Sequence, residues 1–376
     1  MDAAALPFDT GAMLDMLRPW VECESPTFDA VAVDRMMDLA AADLSALGAA
    51  VERIPGRMGF GGCVRATLPH ARPGPGIVVM GHLDTVHPVG TLAALPWRRE
   101  DGRVYGPGTM DMKGGNMLAL HALGALARAG IQTKLPVTVL FTSDEEVGSP
   151  STRPLIEAEA ARHRAVLVPE PSQPGGAVVT GRYAIARYAL RATGRPSHAG
   201  SRLADGRSAI REMARQIIVI EDMTTPDCTF SVGVVQGGQW VNCVATTCVG
   251  EALSMAKRQP DLDAGVARIL ALTHASGDGA GFAVTRGVTR PVWEPGPGTM
   301  ALYDRAARIA GELGLALGHC SAGGGSDANF TGAAGQATLD GLGVEGAGLH
   351  TLNEHLLEGS LALRGRLLAG LLATLD

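Results

Sequence analysis

Ile77-Val78-Val79-Met80-Gly81-His82-Leu83-Asp84 is the stretch that decides the fold. Its opening four-residue apolar run is of the buried-strand type, and a glycine, a histidine and an aspartate follow it directly. The same arrangement occurs twice more. Residues 137–141 lead into Thr142-Ser143-Asp144-Glu145-Glu146, and residues 165–168 lead into Pro169-Glu170. Between these runs, residues 28–48, 112–129 (ending at Gly130) and 151–163 carry helical spacing. Strands alternating with helices predict a mostly parallel sheet covered by helices on both faces. Ligands of such sheets bind at the carboxyl ends of the strands. Here those ends deliver one imidazole and several carboxylates.

Near residue 179 the texture changes. Residues 183–193 alternate as a long half-exposed strand. Residues 206–220 read as a helix, 228–235 and 245–256 as strands, 260–273 as a helix and 281–285 as a last strand. Paired strands interleaved with helices describe a compact α+β module. After Pro295-Gly296-Pro297-Gly298 the first texture returns, with helices over 299–313 and from about 358. The expected fold is α/β: one domain formed by 1–179 and 291–376, interrupted by an inserted α+β domain over 180–290.

Composition removes several function classes. Hydrophobic residues make up 46% of the 376, which excludes a disordered polymer. A net charge of −6 and 4% aromatics argue against a nucleic-acid partner. No apolar run approaches the ~20 residues of a membrane helix. The opening MDAAALPFDTGAMLDMLRPW lacks the basic and apolar regions of a signal peptide. Six cysteines without a CxxC pair suit a reducing cytoplasm better than a disulfide framework or a thiolate zinc site.

Singly, the polar residues have ordinary explanations. His82 could be a hydrogen-bonder, Glu145 and Glu146 a solvated loop, and Asp111 a helix N-cap. Their joint delivery to one sheet edge shifts the balance, because clustered acids repel unless a cation neutralises them. Imidazole with carboxylates is a zinc or manganese ligand set. The spacing of His82 and Asp84 puts both side chains on one side of an extended backbone. Asp84 can then hold the ring nitrogen that does not bind metal. Of the adjacent Glu145 and Glu146, one can bind metal while the other takes a proton from an activated water.

Seven motifs in order carry a resemblance: Gly81-His82-Leu83-Asp84-Thr85-Val86, GPGTMDMKGG (106–115), SDEEVG (143–148), Glu170-Pro171-Ser172, GRPSHAG (194–200), GGGSDA (323–328) and HTLNE (350–354). The chain resembles the dinuclear zinc exopeptidase and deacylase family. That family holds glutamate carboxypeptidase, acetylornithine deacetylase, succinyl-diaminopimelate desuccinylase and aminoacylase, and the bacterial folate-cleaving glutamate carboxypeptidase is the nearest type. The resemblance implies two divalent ions, Zn2+ by expectation, with Mn2+ or Co2+ as chemical alternatives. His82 and Glu170 would hold one ion, Glu146 and His350 the other, and Asp111 would bridge them, followed by a cis peptide bond. Glu145 would be the general base and Asp84 the orienting carboxylate. His198 would donate to the developing oxyanion, in many relatives from the partner subunit. Asn242, Arg290 and the turn at Gly325 and Ser326 would bind substrate, and His355 lies off the motif. The inserted domain would serve as lid and dimerisation domain of a homodimer.

One departure stands out. Where the family usually has Asp-x-Arg, this chain has Leu253-Ser254-Met255. The replacement is either neutral for folding, as apolar substitution of an ion pair can be, or the mark of a different substrate end. Ser208 and Leu203 also replace an asparagine and a proline common in the family. The expected activity is hydrolysis of an amide or peptide bond next to an amino acid with a free carboxylate. The alternatives are removal of the acyl group from an N-acyl amino acid, as in acetylornithine deacetylase, and a non-catalytic binding homologue.

Overall fold

The computed structural model describes residues 5–275, 277 and 280–376. Residues 1–4, part of the stretch read for a signal peptide, lie outside the described residues. The chain divides into two compact units. One comprises residues up to 181 with 294–322 and 326–376; the other comprises 182–293 with 323–325.

The first unit is built on a six-stranded sheet. Its order is Ala50–Ile54, Cys63–Thr67, Val137–Thr142, Ile77–His82, Ala165–Leu167 and Thr338–Leu339. The last four run parallel and the first two add an antiparallel edge. Both long parallel strands are buried at every position, as expected for strands with both faces covered. Register pairs His82 with Thr142, so the two strands end level and their following loops emerge side by side. Helices Thr10–Glu22, Gly114–Arg128 and Leu361–Thr374 pack on one another within the same core. Helix Gly114–Arg128 stops where the sequence says it should. Gly130 takes φ +67°, its N–H donates to Ala127, and the Ile131 N–H donates to Leu126, which caps the last carbonyls.

The second unit is a five-stranded antiparallel sheet ordered Cys228–Gly237, Thr247–Ala256, Ala184–Thr193, Gly281–Arg290 and His274–Ala275. Ala184, Ala186, Tyr188, Leu190 and Ala192 alternate inward along the central strand. They form a core with Met213 and Ile220 of helix Ala209–Glu221 and with Leu262 and Ile269 of helix Gln259–Leu270.

Candidate metal centre

His82 is the last residue of its strand and is buried. Asn116 Nδ2 donates to the His82 carbonyl at 2.7 Å, which fixes the strand end. The ring nitrogen Nδ1 faces the Asp84 carbonyl oxygen at 2.9 Å. That leaves Nε2 aimed at Asp111 Oδ1 (3.2 Å), Glu170 Oε1 (3.7 Å) and Glu145 Oε2 (3.9 Å). Asp111 sits in the turn Thr109–Lys113, just before helix Gly114–Arg128, and its bond to Met112 is cis. Its second oxygen, Oδ2, lies 3.2 Å from His350 Nε2, which in turn is 3.3 Å from Glu146 Oε2. His350 adopts φ +60° in the turn after Gly348, a costly conformation for a non-glycine residue that is concentrated at functional sites.

One carboxylate therefore stands between two imidazoles. His82, Asp111 and Glu170 converge from one side; His350, Asp111 and Glu146 converge from the other. Donor atoms of His82, Glu145 and Glu170, and of His82, Asp111 and Glu146, lie within 4.8 Å of one another.

The electrostatics describe a site that needs positive charge. Burial, and then the Asp111 charge, push the Glu146 carboxyl up to about 8. The same two causes raise Glu170 well above the carboxylate range. Burial alone would raise Asp111 too, but hydrogen bonds to His350 and His82 hold it low. Hydrogen bonds to Asp111 and Glu146 raise His350 to about 10. Burial works against the His82 imidazolium, yet Asp111, Asp84, Glu145 and Glu170 together raise it well above its ordinary value. Protons thus stand in for cations among these donors. Two imidazoles and buried carboxylates sharing one acid fit two divalent ions of the zinc or manganese type.

Asp84 meets the non-metal ring nitrogen of His82 through two oxygens. The acceptor nearest to His82 Nδ1 is the Asp84 main-chain oxygen, with the carboxylate Oδ1 further off at 3.4 Å. The carboxylate serves the neighbouring loop as well. It accepts from Glu145 N (3.2 Å), Glu146 N (3.3 Å) and Thr27 Oγ1 (2.7 Å). Asp84 thereby sets the turn that presents both glutamates. Asp327 braces the same loop by accepting from Thr142 Oγ1 and Ser149 Oγ.

Sequence reading missed Glu354 and His87. The buried Glu354 carboxylate accepts from the main-chain N–H groups of Gly108 (3.1 Å), Met110 (2.9 Å) and Asp111 (3.0 Å). It also lies 2.7 Å from His87 Nε2. This one group anchors the Asp111 loop to the turn carrying His350. Its signal was the final letter of HTLNE, an acid on a motif otherwise read for its histidine. Lys113 was missed as well. It is fully enclosed, donates to the Trp20 and Cys23 carbonyls, and burial lowers it to about 8.

The remaining expected residues fall differently. Ser326 is buried, and its hydroxyl donates to Asp340 at 2.7 Å and accepts from Ala328 N, so it builds the turn rather than meeting a ligand. In the second unit, His198 is exposed and its Nδ1 accepts from Gly200 N and Ser201 N. Its Nε2 is consequently the protonated nitrogen. Asn242 lies beside it, since Ala199 N donates to the Asn242 carbonyl and residues 198 and 243 pair. Arg290 is buried at the end of its strand against Gly325, where a β-carbon would lie 2.6 Å from Arg290 Cδ. Leu253 and Met255 are half-buried, while Ser254 points inward to the Tyr188 hydroxyl at 2.9 Å. The replaced Asp-x-Arg positions therefore lie on the half-buried face of the strand, away from this unit's core. His355 stacks near Tyr105, and its Nδ1 donates to the Asn353 carbonyl.

The fold and this cluster define a metal-dependent hydrolase. Residues 78–374 match the sequence profile of Peptidase family M20/M25/M40, and the chain belongs to that family. It is 32% identical over 352 residues to carboxypeptidase G2 of Pseudomonas sp. (strain RS-16), covering 90% of this chain and 83% of that protein. It is 31% identical over 233 residues to acetylornithine deacetylase of Myxococcus xanthus, covering 57% of this chain and 59% of that protein. The structure of aminopeptidase PepT from Bacillus cereus superposes with a TM-score of 0.76 at 23% identity, covering 97% of this chain and 98% of that one. That similarity speaks for the fold.

Proposed function

We propose that the protein hydrolyses an amide or peptide bond next to an amino acid bearing a free carboxylate, as a glutamate carboxypeptidase does. The observation that carries the reading is Asp111 held between His82 and His350, with Glu145 adjoining the same cluster. His82, Asp111 and Glu170 would hold one zinc ion, and Asp111, Glu146 and His350 the other. When bound, the pair supplies Lewis-acid polarisation of the scissile carbonyl and acidification of water.

Glu145 does the proton work. The attacking water gives its proton to the Glu145 carboxylate as its oxygen bonds to the carbonyl carbon. Glu145 then delivers that proton to the nitrogen as the C–N bond breaks. The products are a carboxylate and an amine. Asp84 keeps Glu145 in place through the main-chain bond described above. His198, with its Nε2 proton free for donation, serves as a donor to the developing oxyanion. Arg290 and Asn242 are assigned to the substrate, Arg290 because a guanidinium suits a carboxylate. The similarity to carboxypeptidase G2 supports the carboxylate-terminal substrate.

A second reading, deacylation of an N-acyl amino acid, uses the same water chemistry. The similarity to acetylornithine deacetylase and the apolar Leu253 and Met255 favour it. We place the protein in a reducing compartment, with all six cysteines unpaired. We also propose a homodimer through the second unit, whose exposed Ile218, Val219, Val234 and Val235 support it. Glu145→Ala tests the central assignment. Turnover should fall by at least about 10²-fold, the lower scale for losing a general base, while metal content stays at two per chain. Retained turnover would remove Glu145 from the mechanism.

A further inference from the structure

Resting on the hydrolase reading above, we propose that an apolar subsite beside the metal centre receives the acyl side of the substrate as a bulky hydrophobic group. A cavity of about 500 Å³ is walled by Phe28, Val86, Pro88, Val89 and Val147, together with Glu146, a ligand of the proposed centre. Phe28 is 79% exposed, Val89 58% and Val86 41%. Large apolar side chains converging on one exposed spot mark a binding surface. This one adjoins the reacting groups through Glu146.

The walls are held in place before any ligand arrives. Thr27 N donates to the Thr85 carbonyl at 3.2 Å and Thr85 N to the Ser25 carbonyl at 2.9 Å, which pairs the two wall segments. Asp29 caps helix Ala30–Ala46 by accepting from Ala32 N. Thr27 Oγ1 and Glu146 N both donate to Asp84 Oδ2, so a single carboxylate fixes the wall and the ligand together. Preformed apolar pockets with few polar groups are the usual form of small-molecule sites.

Charge decides which end of the substrate enters. Among the described residues the cavity is lined by no Lys or Arg, and its only ionisable walls are the acids Asp29 and Glu146. A free carboxylate in this pocket would lose water without a cationic partner. The end that enters is therefore the uncharged acyl side. Its volume is well above the roughly 150 Å³ that holds one benzene, so an acetyl group would leave it largely unfilled.

The experiment compares N-acetyl-, N-isovaleryl- and N-phenylacetyl-glutamate as substrates of the zinc-loaded protein. It uses the wild type, Phe28→Ala and Val89→Asp. Both altered side chains are exposed, so melting temperatures should match the wild type. The wild type should prefer the two bulky acyl groups over acetyl in kcat/KM by about 10–200-fold, the usual worth of a filled apolar pocket. Val89→Asp should erase most of that preference, with the bulky acyl groups losing more kcat/KM than acetyl; Phe28→Ala should erase part of it. A wild type that prefers acetyl, or a preference untouched in both variants, would overturn the subsite. If the wild type cleaves none of the three, the reaction reading fails instead. Calorimetric binding of N-phenylacetyl-glutamate then decides the subsite: weakening in Val89→Asp supports it and unchanged binding overturns it.

Discussion

Asp111 shows how much of a site can rest on a single side chain that is itself held by others. Its two oxygens face two different imidazoles, and its own N–H is held by Glu354. Replacing Glu354 by Gln keeps size and removes charge. The amide can satisfy Met110 and Asp111 with its oxygen, but its nitrogen then opposes the Gly108 N–H. Glu354→Gln should weaken metal affinity by about 10–100-fold, the scale for losing a group that orients ligands. Competition with a chelator measures this; affinity equal to the wild type would show that the Asp111 loop holds itself. The raised carboxyls make a second prediction at this scale. Glu146 keeps its proton up to about pH 8 in the metal-free protein. A metal must displace that proton, so metal affinity should climb between about pH 6 and 8 with proton release on binding. Affinity that is flat across this range would contradict the shift.

At the scale of elements, the sheet edge was legible in the sequence and the parts that fine-tune it were not. The three apolar runs lie at Ile77–His82, Val137–Thr142 and Ala165–Leu167, within a residue or two of their expected bounds. They were readable because strands buried on both faces read as nearly continuous apolar runs. The antiparallel strands Ala50–Ile54 and Cys63–Thr67 escaped notice. The first is largely exposed, so no apolar run betrays it. Lys113 was invisible for another reason: its partners are main-chain carbonyls, which have no letter in the sequence. The helix that follows Asp111 depends on a close approach that only glycine allows. A β-carbon at Gly115 would lie 1.8 Å from the Pro169 carbonyl oxygen. Gly115→Ala should therefore push this helix from the strand end before Glu170 and cost about 1–3 kcal/mol or more, as overpacking does. Denaturant unfolding checks it; a loss under about 0.5 kcal/mol, the range of an unconstrained surface change, would mean the helix shifts freely.

For the whole molecule, the cluster makes stability depend on metal and pH together. Glu146 is raised in the fold from 4.5 to about 8, so it favours the folded state while protonated. That contribution is present below about pH 4.5 and lost as pH rises to about 8; raised His350, His82 and Glu170 act in the same direction. Lowered Asp111 acts oppositely, but only in the acid range below its ordinary value of 3.8. The melting temperature of the metal-free protein should thus fall from about pH 5 to 8, and divalent ions should restore it, by about 2.7 kcal/mol at 100 times the dissociation constant. A metal-free melting curve that improves over this range would refute the electrostatic account. The central claim is that two ions share Asp111. Anomalous diffraction at the zinc edge on metal-loaded crystals tests it most directly. The account predicts two peaks about 3.5–4 Å apart, the spacing of two-metal sites, one beside His82 and Glu170, the other beside Glu146 and His350, with Asp111 between them. A single peak, or two peaks with Asp111 bound to neither or only one, would contradict it.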